Sequence, residues 1–190
     1  MEVLFHFIFE LIKISILGCI YATLTLLSFK IIGHFKPNTW FYRASRKKLR
    51  LWFLSGLFIS IGLFFFMFTY YGEHGLGDSA RVPVGHWRAI QQVNGTQAYI
   101  QDEGPVSMIE IDDFIVTDNY IYGLTGDMNE NYDGDYFVYD LVENNVTTFK
   151  SKIEFTDFLK ENNLEINPDY KNFGYYYGKY WGGWRFWVLA

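Results

Sequence analysis

Two long apolar stretches open the chain, and short alternating segments fill the remainder. Leu51 to Tyr71 reads LWFLSGLFISIGLFFFMFTYY, twenty-one residues without a charge. At 1.5 Å of rise per residue, such a run matches a hydrocarbon core about 30 Å thick. Trp52 and the pair Tyr70 and Tyr71 stand where the two interfaces would fall. The earlier run, Val3 to Phe35, is interrupted by Glu10, Lys13 and Lys30, and its expected span is Ile12 to Ile32. Lys30 can extend toward one interface, while Glu10 and Lys13, three apart on one helical face, can pair near the other.

From Gly72 onward the periodicity changes. Gly72 to Gly85 is rich in glycine, contains Pro83, and reads as an extended linker or ordered loop. His86–Val93 and Thr96–Gln101 flank Asn94-Gly95, a strong hairpin signal because both turn positions require positive φ. Val106–Ile111, Phe114–Thr117, Tyr120–Leu124, Asp135–Val142 and Val146–Phe149 follow as strand-like runs with short connections, which favours antiparallel pairing in a meander. Ser151-Lys152-Ile153-Glu154 has capping-box spacing ahead of Phe155, Phe158 and Leu159, which predicts one short helix over the sheet. The tail from Tyr170 is Gly-broken and aromatic, and is expected as a final strand or loop that packs on the sheet or rests at the membrane interface, rather than as a third span.

The expected fold is therefore a two-helix transmembrane hairpin plus a mainly antiparallel β (α+β) extracytoplasmic domain with one short covering helix. The expected organisation is an N-terminal segment with the first span (1–35), a basic loop (36–50), a second span (51–71) and an acidic β-rich domain with an aromatic tail (72–190). Charge sets the orientation. Residues 1–71 hold eight Lys/Arg against two acids, whereas 72–190 hold eight against nineteen. Lys36 to Arg50 carries six of the basic residues and no acid, among them Arg43, Arg46, Lys47, Lys48 and Arg50. A short loop of that kind belongs on the cytoplasmic side, so both termini are expected outside, at a bacterial inner (plasma) membrane. The same cluster also has the charge pattern of an anionic-lipid site. The acidic exported part excludes nucleic acid as a partner, which leaves the bilayer and a membrane or envelope protein. Cys19 lies within the first apolar run, so no disulfide framework exists, and the apolar stretch continues past it, unlike a lipoprotein cleavage site.

Candidate chemistry is sparse. In the register Asn129, Asn131, Asp133, Gly134 and Asp140, the segment imitates the alternating oxygen ligands and bend glycine of a calcium loop. It departs from that pattern in opening with Asn, in closing with the short Asp, and in lacking flanking helices. Calcium is the one cofactor this suggests, and a polar hairpin loop has the same composition. Glu73, His74, Asp78 and His86 gather two imidazoles and two carboxylates without zinc-ligand spacing, and Ser79 lacks a nucleophile elbow. Asn94-Gly95-Thr96 and Asn145-Val146-Thr147 match glycosylation acceptors, patterns too short and frequent to weigh. Tyr180, Trp181, Trp184 and Trp187 are aromatic anchors suited to core packing, a membrane interface or a docking surface. The expectation is a non-enzymatic accessory or interaction subunit of an envelope complex. Behind it stand a tethered module for a divalent ion, glycan or envelope component, and then an envelope hydrolase using the Glu73 to His86 cluster.

Overall fold

The computed structural model describes residues 2–95, 97–101, 108–126 and 133–189. In chain order the described residues form α1 (Glu2–Phe35), α2 (Trp40–Arg46), α3 (Lys48–Phe66), β1 (Ser79–Gly85), β2 (Arg88–Val93), β3 (Gln97–Gln101), β4 (Met108–Val116), β5 (Tyr120–Thr125), β6 (Tyr136–Asp140), β7 (Asn145–Phe149), α4 (Lys152–Glu161), α5 (Phe173–Trp181) and α6 (Trp184–Val188). Two compact units result, residues 1–73 with 184–190, and residues 74–183. The first boundary falls beside Gly72. The second was not foreseen, because the last residues belong with the helices and not with the sheet.

In the helical unit, α1 and α3 are both long and apolar enough to cross a membrane. α3 buries none of its residues, unlike the core helix of a soluble domain, which hides its apolar side chains. α1 is one helix of 34 residues, longer than the expected Ile12–Ile32. Glu10 does not end it, because His6 and Lys13, one turn away on either side, bring their nitrogens to 3.8 and 3.7 Å from its carboxylate. Residues 36–50 are not a simple loop but contain α2 and the first turn of α3. α3 itself stops at Phe66, short of Tyr71, where the Thr69 hydroxyl and amide both donate to the Phe66 carbonyl.

The buried positions of α1 include Glu10, Ile14, Leu17, Gly18, Ala22 and Gly33, a stripe at three- and four-residue spacing. Small residues line the seam with α3. A Cβ on Gly18 would lie 2.2 Å from the Ser60 hydroxyl, and one on Gly56 would lie 3.4 Å from the Ala22 Cβ. Gly18 with Ala22 and Gly56 with Ser60 thus form two small-xxx-small pairs that let the backbones approach. Farther along, Trp52 Nε1 donates to the Thr23 hydroxyl at 3.1 Å, and Phe29 packs edge-on against Trp40 and Phe41 of α2. α6 lies against α1, with the Tyr21 hydroxyl donating to the Val188 carbonyl at 2.7 Å and the Lys13 ammonium 5.0 Å from the Phe186 ring centroid.

The second unit is a seven-stranded antiparallel sheet in which every strand pairs with its sequence neighbour, β1 through β7, the meander expected from short connections. Asn94 and Gly95 adopt φ of +58° and +69° at the β2–β3 turn. The Gly72–Gly85 stretch is not all linker, since β1 occupies its second half, and the two runs expected around residues 106–117 merge into β4. A register shift between Ile111 and Phe114 marks a bulge there. Gly123 faces it, and a Cβ at that position would come within 2.2 Å of the Asp113 carbonyl oxygen, so only glycine fits opposite the bulge.

Strand alternation gives two cores. Val82, Ile90, Ile100, Ile109, Phe114, Ile121, Phe137 and Tyr139 point to one face, and Tyr122 and Val138 to the other. α4 covers the second face through Phe155 and Leu159, as predicted, with the Ser151 hydroxyl capping it by accepting from the Ile153 amide. Burying two such side chains contributes about 3 to 6 kcal/mol, enough to hold a helix too short to persist alone. The first face is covered by a second helix where a strand or loop was expected. Phe173, Tyr176, Tyr177, Tyr180 and Trp181 recur at helical spacing and pack as α5 against the larger core, and Asn172 caps the helix by accepting from the Tyr175 amide at 3.1 Å.

Candidate functional site

Of the ligands expected for calcium, Asp133 and Asp140 are among the described residues, and those two are not brought together. Asn129 and Asn131 lie outside the described residues. Asp133 pairs with Lys150 at the β6 entrance, whereas Asp140 sits at the far end of β6 and accepts from the Val142 and Glu143 amides at 2.8 and 2.9 Å to shape the β6–β7 turn. The extended strand between them spans about 13 Å, too far for Asp133 and Asp140 to share an ion at 2.3–2.6 Å from each. The histidine and acid cluster is also dispersed. The His74 carbonyl accepts from the Arg81 amide, and most of β1 then separates it from His86 by roughly 16 Å. His74 packs edge-on against Trp181, and Asp78 uses its carbonyl for the Asn94 amide.

His86 has a different setting. With Trp87 it forms the β1–β2 turn, and both adopt positive φ, +48° and +61°, a region that costs non-glycine residues strain. His86 Nε2 lies 3.1 Å from the Asp118 carbonyl. Since a carbonyl only accepts, Nε2 carries the proton in this contact. The bond ties the β1–β2 turn to the β4–β5 turn. No propensity rule places His-Trp in such a turn.

The aromatic tail divides in two. Trp181 is buried and its Nε1 donates to the Arg81 carbonyl at 2.6 Å, and Tyr180 packs at the edge of the same core. Tyr176 stacks on Phe114 with ring centroids 4.9 Å apart, accepts from the Val116 amide and donates to the Phe114 carbonyl. Burial pushes its phenol pKa up. Trp184 and Trp187, by contrast, are 66 % and 73 % exposed on α6. Arg43, Arg46, Lys47, Lys48 and Arg50 are all exposed around α2 and the start of α3, next to Trp40 and Leu49, which are exposed too.

The feature that sequence reasoning missed lies on the sheet. Opposite the larger core, β2, β3 and β4 present Gln91, Val93, Gln97, Tyr99 and Met108 around a cleft of about 320 Å³. α4 packs on the same side but farther along, over Tyr122, Tyr136, Val138 and Phe149. The Tyr99 hydroxyl donates to Gln97 Oε1 at 2.7 Å, while partial burial and then the nearby Glu110 carboxylate raise its pKa. Val93 and Met108 remain substantially exposed. An apolar floor ringed by amides and one phenol can hold a side chain or an extended segment by contact and hydrogen bonding. The alternation in Gln91-Gln92-Val93 and Gln97-Ala98-Tyr99 was the available signal, with every second residue of an amide-rich pair of strands facing away from the core. Comparison with known protein families, with curated proteins and with solved structures gives no match.

Proposed function

We propose that this protein is a membrane-anchored, non-enzymatic interaction subunit of a cell-envelope complex, whose sheet engages a protein partner through the face of β2–β4 that no described element covers. The observation carrying this reading is the cleft lined by Gln91, Val93, Gln97, Tyr99 and Met108. Aromatic residues and Met are enriched at protein interfaces, and neutral amides satisfy a partner's backbone without a charge to desolvate.

In this reading α1 and α3 cross the bilayer as a hairpin with the Arg43 to Arg50 cluster on the cytoplasmic side and the acidic sheet outside. α1, about 51 Å long, exceeds a core of about 30 Å. Its pairing with α3 supports a specific accommodation. Thr23 meets Trp52, so the last turns of α1 continue past the start of α3 and carry α2 as a cytoplasmic cap. The same register brings Glu10 level with the end of α3 near Phe66, where an interface would fall. Glu10 also lies on the packed stripe of α1 and not toward lipid.

A photo-crosslinking amino acid in place of Tyr99, in native membranes, is expected to capture one defined partner. The same group in place of Ile153, exposed on α4, should not. Recovery of the protein as a lone protomer, with position 99 reacting with nothing, would remove the proposal.

A further inference from the structure

We infer that α6 is a third membrane-embedded element, which re-enters the lipid beside α1 and turns Trp184 and Trp187 toward acyl chains. The inference rests on the bilayer reading of α1 and α3, and is independent of what the sheet binds.

Three observations converge on lipid as the occupant. The first is attachment: α6 is fastened to α1 at both ends of a short stretch, by the Lys13 ammonium over Phe186 and by the Tyr21 hydroxyl on the Val188 carbonyl. The neighbouring positions on α1, Ile16 and Ile20, are themselves exposed. The exposed rings of α6 therefore continue the apolar surface of a helix whose surroundings are lipid. The second is the hydrogen bond itself. A helix-end carbonyl left unsatisfied in hydrocarbon costs several kcal/mol, and a tyrosine within an apolar run has a hydroxyl in the same position. Tyr21 and Val188 satisfy one another, an arrangement of little consequence in water, where both groups are hydrated. The third is charge. After Asp169 the chain holds Lys171, Lys179 and Arg185 and no acidic side chain, unlike the rest of the exported part. The Arg185 guanidinium lies 5.8 Å from the Trp184 ring centroid, and its long stem can carry the charge toward phosphate headgroups.

Five residues cannot hold a helix in isolation, so α6 depends on α1 and on the lipid that covers its outer side. As a consequence the sheet unit, residues 74–183, is joined in sequence to membrane-embedded chain at both of its ends, through α3 and through α6.

Spin labels attached to cysteine test this in the full-length protein reconstituted in nanodiscs of mixed zwitterionic and anionic lipid. The background is Cys19→Ser, and the four labelled variants are Trp187→Cys, Trp184→Cys, Phe58→Cys on α3 as the lipid reference, and Ile153→Cys on α4 as the aqueous reference. The ratio of collisions with oxygen to collisions with a water-soluble nickel chelate should be severalfold higher at 187 than at 153 and should match that at 58. Position 184 provides a second reading if the 187 variant folds poorly. Ratios at 184 and 187 like that at 153, with 58 still shielded, would overturn the inference and leave the hairpin intact. An aqueous ratio at 58 as well would overturn the hairpin reading, and this inference with it.

Discussion

The helical unit and the sheet unit are built inside out with respect to each other. The sheet hides its Ile, Phe and Tyr, so that Phe114, Ile121, Phe137 and Tyr139 are sealed from solvent, and turns amides and carboxylates outward. The helices display Phe53, Phe58, Phe65 and much of α1's Ile and Leu, and place Gly18, Ala22 and Glu10 beside Ile14 and Leu17 on the buried stripe. One physical rule produces both patterns. Large apolar groups are excluded from water in the sheet unit, where burial drives packing. In the bilayer setting proposed for α1 and α3 that driving force is absent, and close approach of small residues replaces it.

The contrast can be broken most severely in the sheet. Phe114→Ala removes a fully buried ring stacked on Tyr176 at the β4 bulge, and should destabilise the sheet unit by about 3–5 kcal/mol, read from a denaturant midpoint followed by Trp181 fluorescence. An unchanged midpoint would mean that α5 does not depend on that core.

The equivalent change in the helices adds volume where the sheet loses it. Gly18→Leu would force α1 off Ser60 and Gly56, at about 1–3 kcal/mol for overpacking. A reporter is available because the Gly56 and Ala22 Cβ positions are 3.4 Å apart, close to disulfide geometry. In a Cys19→Ser chain, Ala22→Cys with Gly56→Cys should cross-link readily, and Gly18→Leu should sharply lower the yield. Retained cross-linking would show that the seam is not set by small residues.

The smallest effect separates the units by pH. Burial first, then the neighbouring Tyr122, Tyr136 and Glu165 groups, pushes the Tyr170 phenol up from 10.0 to about 12. The unfolded chain releases that proton at lower pH than the folded one. The stabilisation is therefore complete below pH 10 and declines as pH rises through the interval to about 12. Tyr122 and Tyr176 are raised in the same direction. The melting temperature of the sheet unit should fall over that range, less steeply in Tyr170→Phe. Equal slopes in the two proteins would rule out Tyr170 as a contributor.

How legible each part was follows from how local its cause is. The hairpin at Asn94-Gly95, the Ser151 cap and the meander depend on neighbours in sequence, and were readable. The helical period of Phe173, Tyr176, Tyr177, Tyr180 and Trp181 was equally present, but the glycines among them read as strand or loop punctuation and concealed it. The calcium register is described only in its second half. Spacing along the chain was suggestive, yet the extended β6 holds Asp133 and Asp140 apart. The outward face of β2–β4 was latent in the alternation of Gln91, Val93, Gln97 and Tyr99, but which half of that side α4 would cover could not be read from any one strand.

The sequence by itself determined the two apolar helices, the basic segment between them, the antiparallel order of the sheet and the contrast in charge, because each follows from composition or from periodicity within a few residues. Tertiary structure alone decided the pairing of Gly18 with Ser60, the division of the tail between a buried α5 and an exposed α6, the positive-φ turn at His86 and Trp87, and the cleft at Tyr99. Those depend on which surfaces meet, and surfaces distant in sequence meet only after the whole chain has settled which apolar groups to hide and which to leave facing their solvent.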